Sequence, residues 1–263
     1  MSESDSLVPE RALARTYDGG YHIDGWQSVT EYRRALSYAS RNNVKSGATA
    51  NALELPRGRV RTWLEGGCPD PARAIDIARE HGWLECTFGD PEFQGLNALV
   101  ANIFSGGSIA ESTYAPGFAL NHRGEDSHVF DALELAGVKY RVVDDRDGRA
   151  DEVRPTTDAS VLGRVLAVLG APVGPKADQH LSIPDYLEDA PEGAREQFVY
   201  AYLENRAIPH EGKATLTLRE DRNRDYLEGL ATLIDDVAGG GVRIGERDIV
   251  ISKSATENLG TVR

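Results

Sequence analysis

The 263-residue chain lacks any apolar run approaching the roughly 18 residues that cross a bilayer, and its N-terminus carries no apolar stretch of signal-sequence length. A soluble, cytoplasmic protein without a membrane partner is expected. Only two cysteines occur, Cys68 and Cys86. They form no CxxC pair and have no Cys or His partner at metal-ligand spacing, so both are expected as reduced thiols. The histidines, His22, His81, His122, His128, His180 and His210, are scattered, with no pair at a helical ligand spacing. There is no GxSxG elbow, no Walker motif and no GxGxxG after a strand, and the glycines at 239–241 sit where a turn is needed. No metal and no cofactor are expected.

Lysine is scarce too. Lys45, Lys139, Lys176, Lys213 and Lys253 are the full set; the other basic residues are arginines, and the net charge of −13 comes from Asp and Glu along the whole length. This composition resembles that of halophilic proteins, whose cytoplasm is multimolar in salt. There the Debye length is about 3 Å or less, so net repulsion from an acidic surface is screened. Attraction is screened as well: with six phosphates neutralised, a tenfold rise in salt removes about five orders of magnitude of affinity. A DNA binder of this composition must rely on base contacts and packing, a task that suits the weakly hydrated, bidentate guanidinium.

With 40% apolar residues the chain can bury a sizeable core. Residues 1–27 are polar and without period, and read as a flexible tail leading to a short arm. From Ser28, a plausible cap, Val29, Tyr32, Leu36 and Ala39 recur at helical spacing. Residues 46–55 and 56–65 read as two short helices across a tight turn. They would bury Ala52, Leu53, Leu55, Val60, Trp63 and Leu64, with Pro56 in the first turn of the second and Gly66-Gly67 ending it. An amphipathic helix follows over 71–81. The stretch GATANALELPRGRVRTWLEGG resembles the helix-turn-helix of transcription factors and recombinases, which defines a DNA-binding domain at 28–84. The resemblance implies that the second helix enters the major groove, presenting Arg57, Arg59, Arg61 and Thr62. Arginine reads guanine O6 and N7 bidentately.

Beyond a linker near 85–94 the pattern repeats approximately. The first half reads as helix over 95–104, strand near 114–120, helix over 127–136, strand near 138–143 and helix over 158–169. The second reads as helix over 191–205, strand over 213–219, helix over 221–238 and a hairpin over 242–252. In 213–219, Ala214, Leu216 and Leu218 alternate with Lys213, Thr215, Thr217 and Arg219, giving one core face and one donor-rich face. Lys139 and Arg141 share a face in the same manner.

LVANIFSGGSI, residues 99–109, resembles the LAGLIDADG motif of homing endonucleases, and FVYAYLENRAI, residues 198–208, resembles a second copy; LGRVLAVLGAPVG and SIPDYLEDAPEGAREQFVYAYLE support the likeness. The resemblance implies an α+β fold over 93–263, a pseudo-twofold αββαββα repeat (about 93–170 and 185–263) whose antiparallel sheets form a saddle over DNA. It also implies a catalytic Mg²⁺ bound by the last acidic residue of each motif. Here those positions are Gly106, which has no ligand, and Arg206, a cation. Glu204 is the nearest surviving carboxylate. The expected protein is therefore a sequence-specific double-stranded DNA binder, a transcriptional regulator on a catalytically inactive fold. The alternatives are an active site-specific endonuclease using Glu204, and a protein-interaction module marked by an apolar sheet face.

Overall fold

The computed structural model describes residues 6–18, 24–120, 127–143, 151–209 and 215–260. The chain divides into two compact units, Met1–Glu85 and Cys86–Arg263.

The described part of the first unit is helical: α1 (Glu10–Arg15), α2 (Gly25–Asn42), α3 (Ser46–Leu53), α4 (Arg57–Leu64) and α5 (Asp70–Glu80). α1 corrects the expectation of a tail over 1–27. Six residues are too few to display a period, yet Leu13 and Ala14 are fully buried, and Glu10 pairs with Arg33 at 2.8 Å and with Arg79. α2 starts before Ser28, because the cap is Asp24, whose carboxylate accepts from the Gln27 backbone N–H at 2.9 Å. Gly25 falls inside the helix and is buried where a Cβ would overlap the Ala14 carbonyl.

α3 and α4 are joined by Glu54-Leu55-Pro56. Glu54 takes the left-handed conformation (φ 56°), and the Leu55 N–H returns to the Ala50 carbonyl at 3.0 Å. Pro56 precedes the first helical residue rather than occupying the first turn. Ala35 of α2, Ala50 and Leu53 of α3, and Val60 and Trp63 of α4 form one buried cluster, and Tyr32 meets the Trp63 ring edge-on at 5.8 Å. Ala52, expected in this core, is exposed.

The second unit runs α6 (Pro91–Ser105), β1 (Ser108–Ile109), β2 (Pro116–Ala119), α7 (His128–Leu135), β3 (Tyr140–Val143), β4 (Glu152–Pro155) and α8 (Ala159–Val168). It then repeats as α9 (Glu192–Arg206), β5 (Ala207–Pro209), β6 (Leu216–Arg219), α10 (Arg224–Ala238), β7 (Val242–Ile244), β8 (Asp248–Ile251) and α11 (Lys253–Leu259). Each half builds a four-stranded antiparallel sheet in equivalent order, β1-β2-β4-β3 and β5-β6-β8-β7. The first strand of each half follows its leading helix with little or no linker, and β1, β5 and α11 are too short to be read from sequence periodicity.

α6 begins inside the expected linker, at Pro91, and is buried continuously from Gly95 to Ser105. Such a helix must be covered on every side. α9 packs along it, and α7 approaches so closely at Gly95 that a Cβ there would lie 2.6 Å from the Ala132 carbonyl oxygen. The seam between α6 and α9 is polar as well as small. Asn97, with no exposed surface, donates to the Ala194 carbonyl (2.8 Å) and to Gln197 Oε1 (3.0 Å), and accepts from Tyr186 Oη (2.7 Å). Further along, Asn205 Nδ2 donates to Ser105 Oγ at 2.9 Å. Asn102 forms a two-way bond with the backbone of Ala119, fixing β2 on α6.

Replacing Asn97 by leucine would raise apolarity but strand buried partners, a loss of about 1–3 kcal/mol. Asn97→Leu is expected to lower the calorimetric transition of the second unit; an unchanged transition would show that the seam does not depend on this amide.

Candidate nucleic-acid interface

On α4, packing divides the side chains. Val60 and Trp63 point into the cluster with α2 and α3, which leaves Arg57, Gly58, Arg61, Thr62 and Glu65 on one exposed face at helical spacing. Arg61 Nε pairs with Glu65 Oε1 at 2.7 Å, with both side chains mostly exposed, so the pair is weak and easily exchanged. Arg59 differs from its neighbours. Its guanidinium lies 5.9 Å from the Trp63 ring centroid and 3.2 Å from Glu31 Oε2 on α2, with 26% of the side chain exposed. Of the four residues expected to read DNA, Arg57, Arg61 and Thr62 share an outward face, and Arg59 is turned toward α2.

Register defines the outer rows of the two sheets. In the first, Phe118 and Val153 face the core, and Arg141 stands opposite Arg154. Lys139, just before β3, is exposed like Arg141, but Val142, on the opposite face in register with buried Val153, is 46% exposed, so this edge strand does not present one dry and one wet face. In the second, Leu216, Leu218, Ile249 and Ile251 are buried, and the outer row reads Ile208, Thr217, Val250, Arg243. Arg219 is exposed opposite Asp248, and Thr215 is half-buried just before β6. Lys213 lies outside the described residues. Sequence reasoning missed Arg154 and Arg243. The Val-Arg-Ile alternation of 242–244 signals Arg243; Arg154 sits in a strand with no such signal.

The charge is also unevenly divided. Residues 1–85 hold 11 Lys/Arg against 12 Asp/Glu, and residues 86–263 hold 18 against 30, so −1 belongs to the first unit and −12 to the second. The expectation of an acidic excess spread over the whole length is corrected accordingly.

At the ends of α6 and α9 the side chains do not suit a divalent metal. Gly106 offers no ligand, and a Cβ there would lie 2.9 Å from the Ala119 Cβ. Arg206 binds Glu220, Nε to Oε1 at 2.7 Å and Nη2 to Oε2 at 3.1 Å, and its Nη2 also donates to the Arg219 carbonyl. Tyr202 Oη donates to Glu220 Oε1 at 2.6 Å. Lys176, in the turn after α8, directs Nζ to the carbonyls of Ile103 (2.6 Å) and Gly107 (2.8 Å). Glu204 is elsewhere: it takes a bond from His128 Nδ1 at 2.8 Å and lines an open cleft of about 410 Å³ between α7 and α9. Among the described residues no group of three His, Cys, Asp or Glu is placed to hold a metal ion.

These features define a LAGLIDADG-like α+β fold, with two αββαββα repeats, adjacent motif helices and two antiparallel sheets. Among solved structures the chain is similar to the N-terminal LAGLIDADG domain of DUF199/WhiA, with 11% identity and a TM-score of 0.44, covering 70% of this chain and 91% of that one. It is also similar to full-length DUF199/WhiA from Thermatoga maritima, with 10% identity and a TM-score of 0.43, over 69% of this chain and 60% of that one. No protein-family model and no curated protein matches the chain.

The Lys176 pKa is lowered from 10.5 to about 8, by burial first and then by the positive charges of Arg222 and Arg206, against which Glu220 acts. Below pH 8 the lysine is charged in both states and the folded chain bears the full penalty. Between pH 8 and 10.5 the unfolded chain binds the proton more tightly, so stability from this group rises with pH. The shift corresponds to about 3 kcal/mol. Urea unfolding of wild type and Lys176→Met from pH 7 to 10 is expected to show the wild type gaining on the variant above pH 8; parallel curves would contradict a desolvated ammonium.

Proposed function

We propose that the protein is a sequence-specific double-stranded DNA-binding protein, acting as a transcriptional regulator without strand cleavage. The observation that carries this reading is the outer face of α4. Arg57, Arg61 and Thr62 project from a rigidly packed helix that follows α3 across a three-residue turn, the arrangement of a helix-turn-helix recognition helix. The near-neutral first unit supports it, since phosphate repulsion there is small. The outer sheet rows supply a second set of contacts in Lys139, Arg141, Arg154, Thr215, Thr217, Arg219 and Arg243, with Lys213 as a further candidate. Two modest readers on one chain raise each other's effective concentration. A cytoplasmic, halophilic setting fits the arginine-rich, lysine-poor composition.

A second reading rests on Ile208 and Val250. They are 51% and 36% exposed and flank Thr217, which suits a protein partner on the second sheet. Cleavage through Glu204 is disfavoured, because that carboxylate, in the last turn of α9, is turned to His128 of α7.

Arg57→Ala and Arg61→Ala are each expected to weaken binding to a selected duplex by about 1–3 kcal/mol. Arg59→Ala is expected to act through stability instead, by releasing Glu31 and Trp63. Fluorescence anisotropy at the working salt concentration, with parallel unfolding curves, separates the two effects. Intact binding in the Arg57 and Arg61 variants, or no occupied locus by chromatin immunoprecipitation in the source organism, would contradict the reading.

A further inference from the structure

The C-terminal ends of α6 and α9 lie side by side, joined by the bond from Asn205 to Ser105. Each helix end concentrates carbonyl oxygens and partial negative charge, and two such ends together favour a cation. The endonucleases that the sequence resembles meet that need with a divalent metal held by motif carboxylates. This chain lacks both carboxylates, and the carbonyls at the end of α6 are met instead by a cation of its own.

We infer that Lys176 takes the place of the divalent cation, its ammonium fixed on the end of α6, while Arg206 at the end of α9 is held on Glu220 and the Arg219 carbonyl. Lys176 Nζ bonds the carbonyls on both sides of Gly106, at Ile103 and Gly107, which places the ammonium around the first motif's metal-ligand position. Arg206 is itself the second such position. The carboxylate of this cluster, Glu220, is 1% exposed, and its oxygens are engaged by Arg206 and Tyr202, with Arg222 Nε at 4.0 Å. Arg222 also donates from Nη1 to the Lys176 carbonyl at 3.2 Å, tying the turn that carries the lysine to the start of α10. Arg206 and Arg222 thus flank Glu220 while the Lys176 ammonium holds the carbonyls at the end of α6, so a dication entering the cluster would face net positive charge and find the oxygens of Glu220 already engaged.

The lysine, rather than the missing carboxylate alone, is then what excludes metal. Restoring an acid at position 106 does not restore the site while Lys176 remains. This inference does not depend on DNA binding.

Mn²⁺ binding by electron paramagnetic resonance tests it on the full-length protein. The comparison is Gly106→Asp/Ala119→Gly, in which the second change makes room for the new side chain, against the same pair combined with Lys176→Gln. The triple variant is expected to gain one site at least about tenfold tighter than any in the double variant. Equal affinity in the two, no new site in the triple variant, or a tight wild-type site abolished by Glu220→Gln would each overturn the inference. Should the triple variant fail to fold, the wild type still decides. Its Lys176 ammonium proton signal, assigned by loss in Lys176→Gln, is expected to be unmoved by Mg²⁺, and its displacement by Mg²⁺ would overturn the assignment.

Discussion

Burying a carboxylate costs several kcal/mol unless its lone pairs are satisfied by strong donors. Glu220 meets that condition through an arginine from the last turn of α9 and a tyrosine one helical turn earlier. Tyr226 of α10 extends the network by donating to Tyr202 Oη at 3.2 Å, and its ring stacks on Phe104 of α6 at 5.7 Å. A single anion at the end of β6 therefore sets the relative positions of α9 and α10 and, through Phe104, of α6. Removal of any one donor would leave the others facing an undersatisfied charge, so the cluster acts as one cooperative element.

Much of this architecture is legible in the sequence. The repeated helices, the alternation of Leu216 and Leu218 with Thr217 and Arg219, and the paired short helices around Pro56 all follow from spacing. The losses have physical causes. β1 and β5, of two and three residues, carry too few alternations to register, and α1 is a six-residue helix held by two buried side chains and three ion pairs. Asp24 was hidden as a cap because Gly25 and Trp26 interrupt the apolar period that marks a helix start.

The candidate site was less legible, because direction matters there more than composition. Arg57, Arg59 and Arg61 look equivalent in a string, yet 57 and 61 are one turn apart and outward, whereas 59 falls toward α2 and finds Glu31 and the Trp63 ring. Helical geometry alone would have separated them. For Glu204 and Glu220 no local pattern suffices. The first lies one turn from the motif end and pairs across to α7; the second lies after β6 and returns to α9. Both contacts are non-local.

The division of charge sharpens the DNA-binding reading. A −12 unit approaching a polyanion carries a repulsive term that salt removes, whereas the arginine contacts of a −1 unit carry an attractive term that salt also weakens. Rising salt thus takes away a penalty and a gain together, and the binding that survives is the part written in bidentate geometry and packing. On a chain with five lysines and arginine everywhere else, that part depends on guanidinium groups held at fixed angles. On the proposed reading, the packed back of α4, with Val60 and Trp63 locked against α2, is therefore as much a determinant of recognition as the arginines on its front.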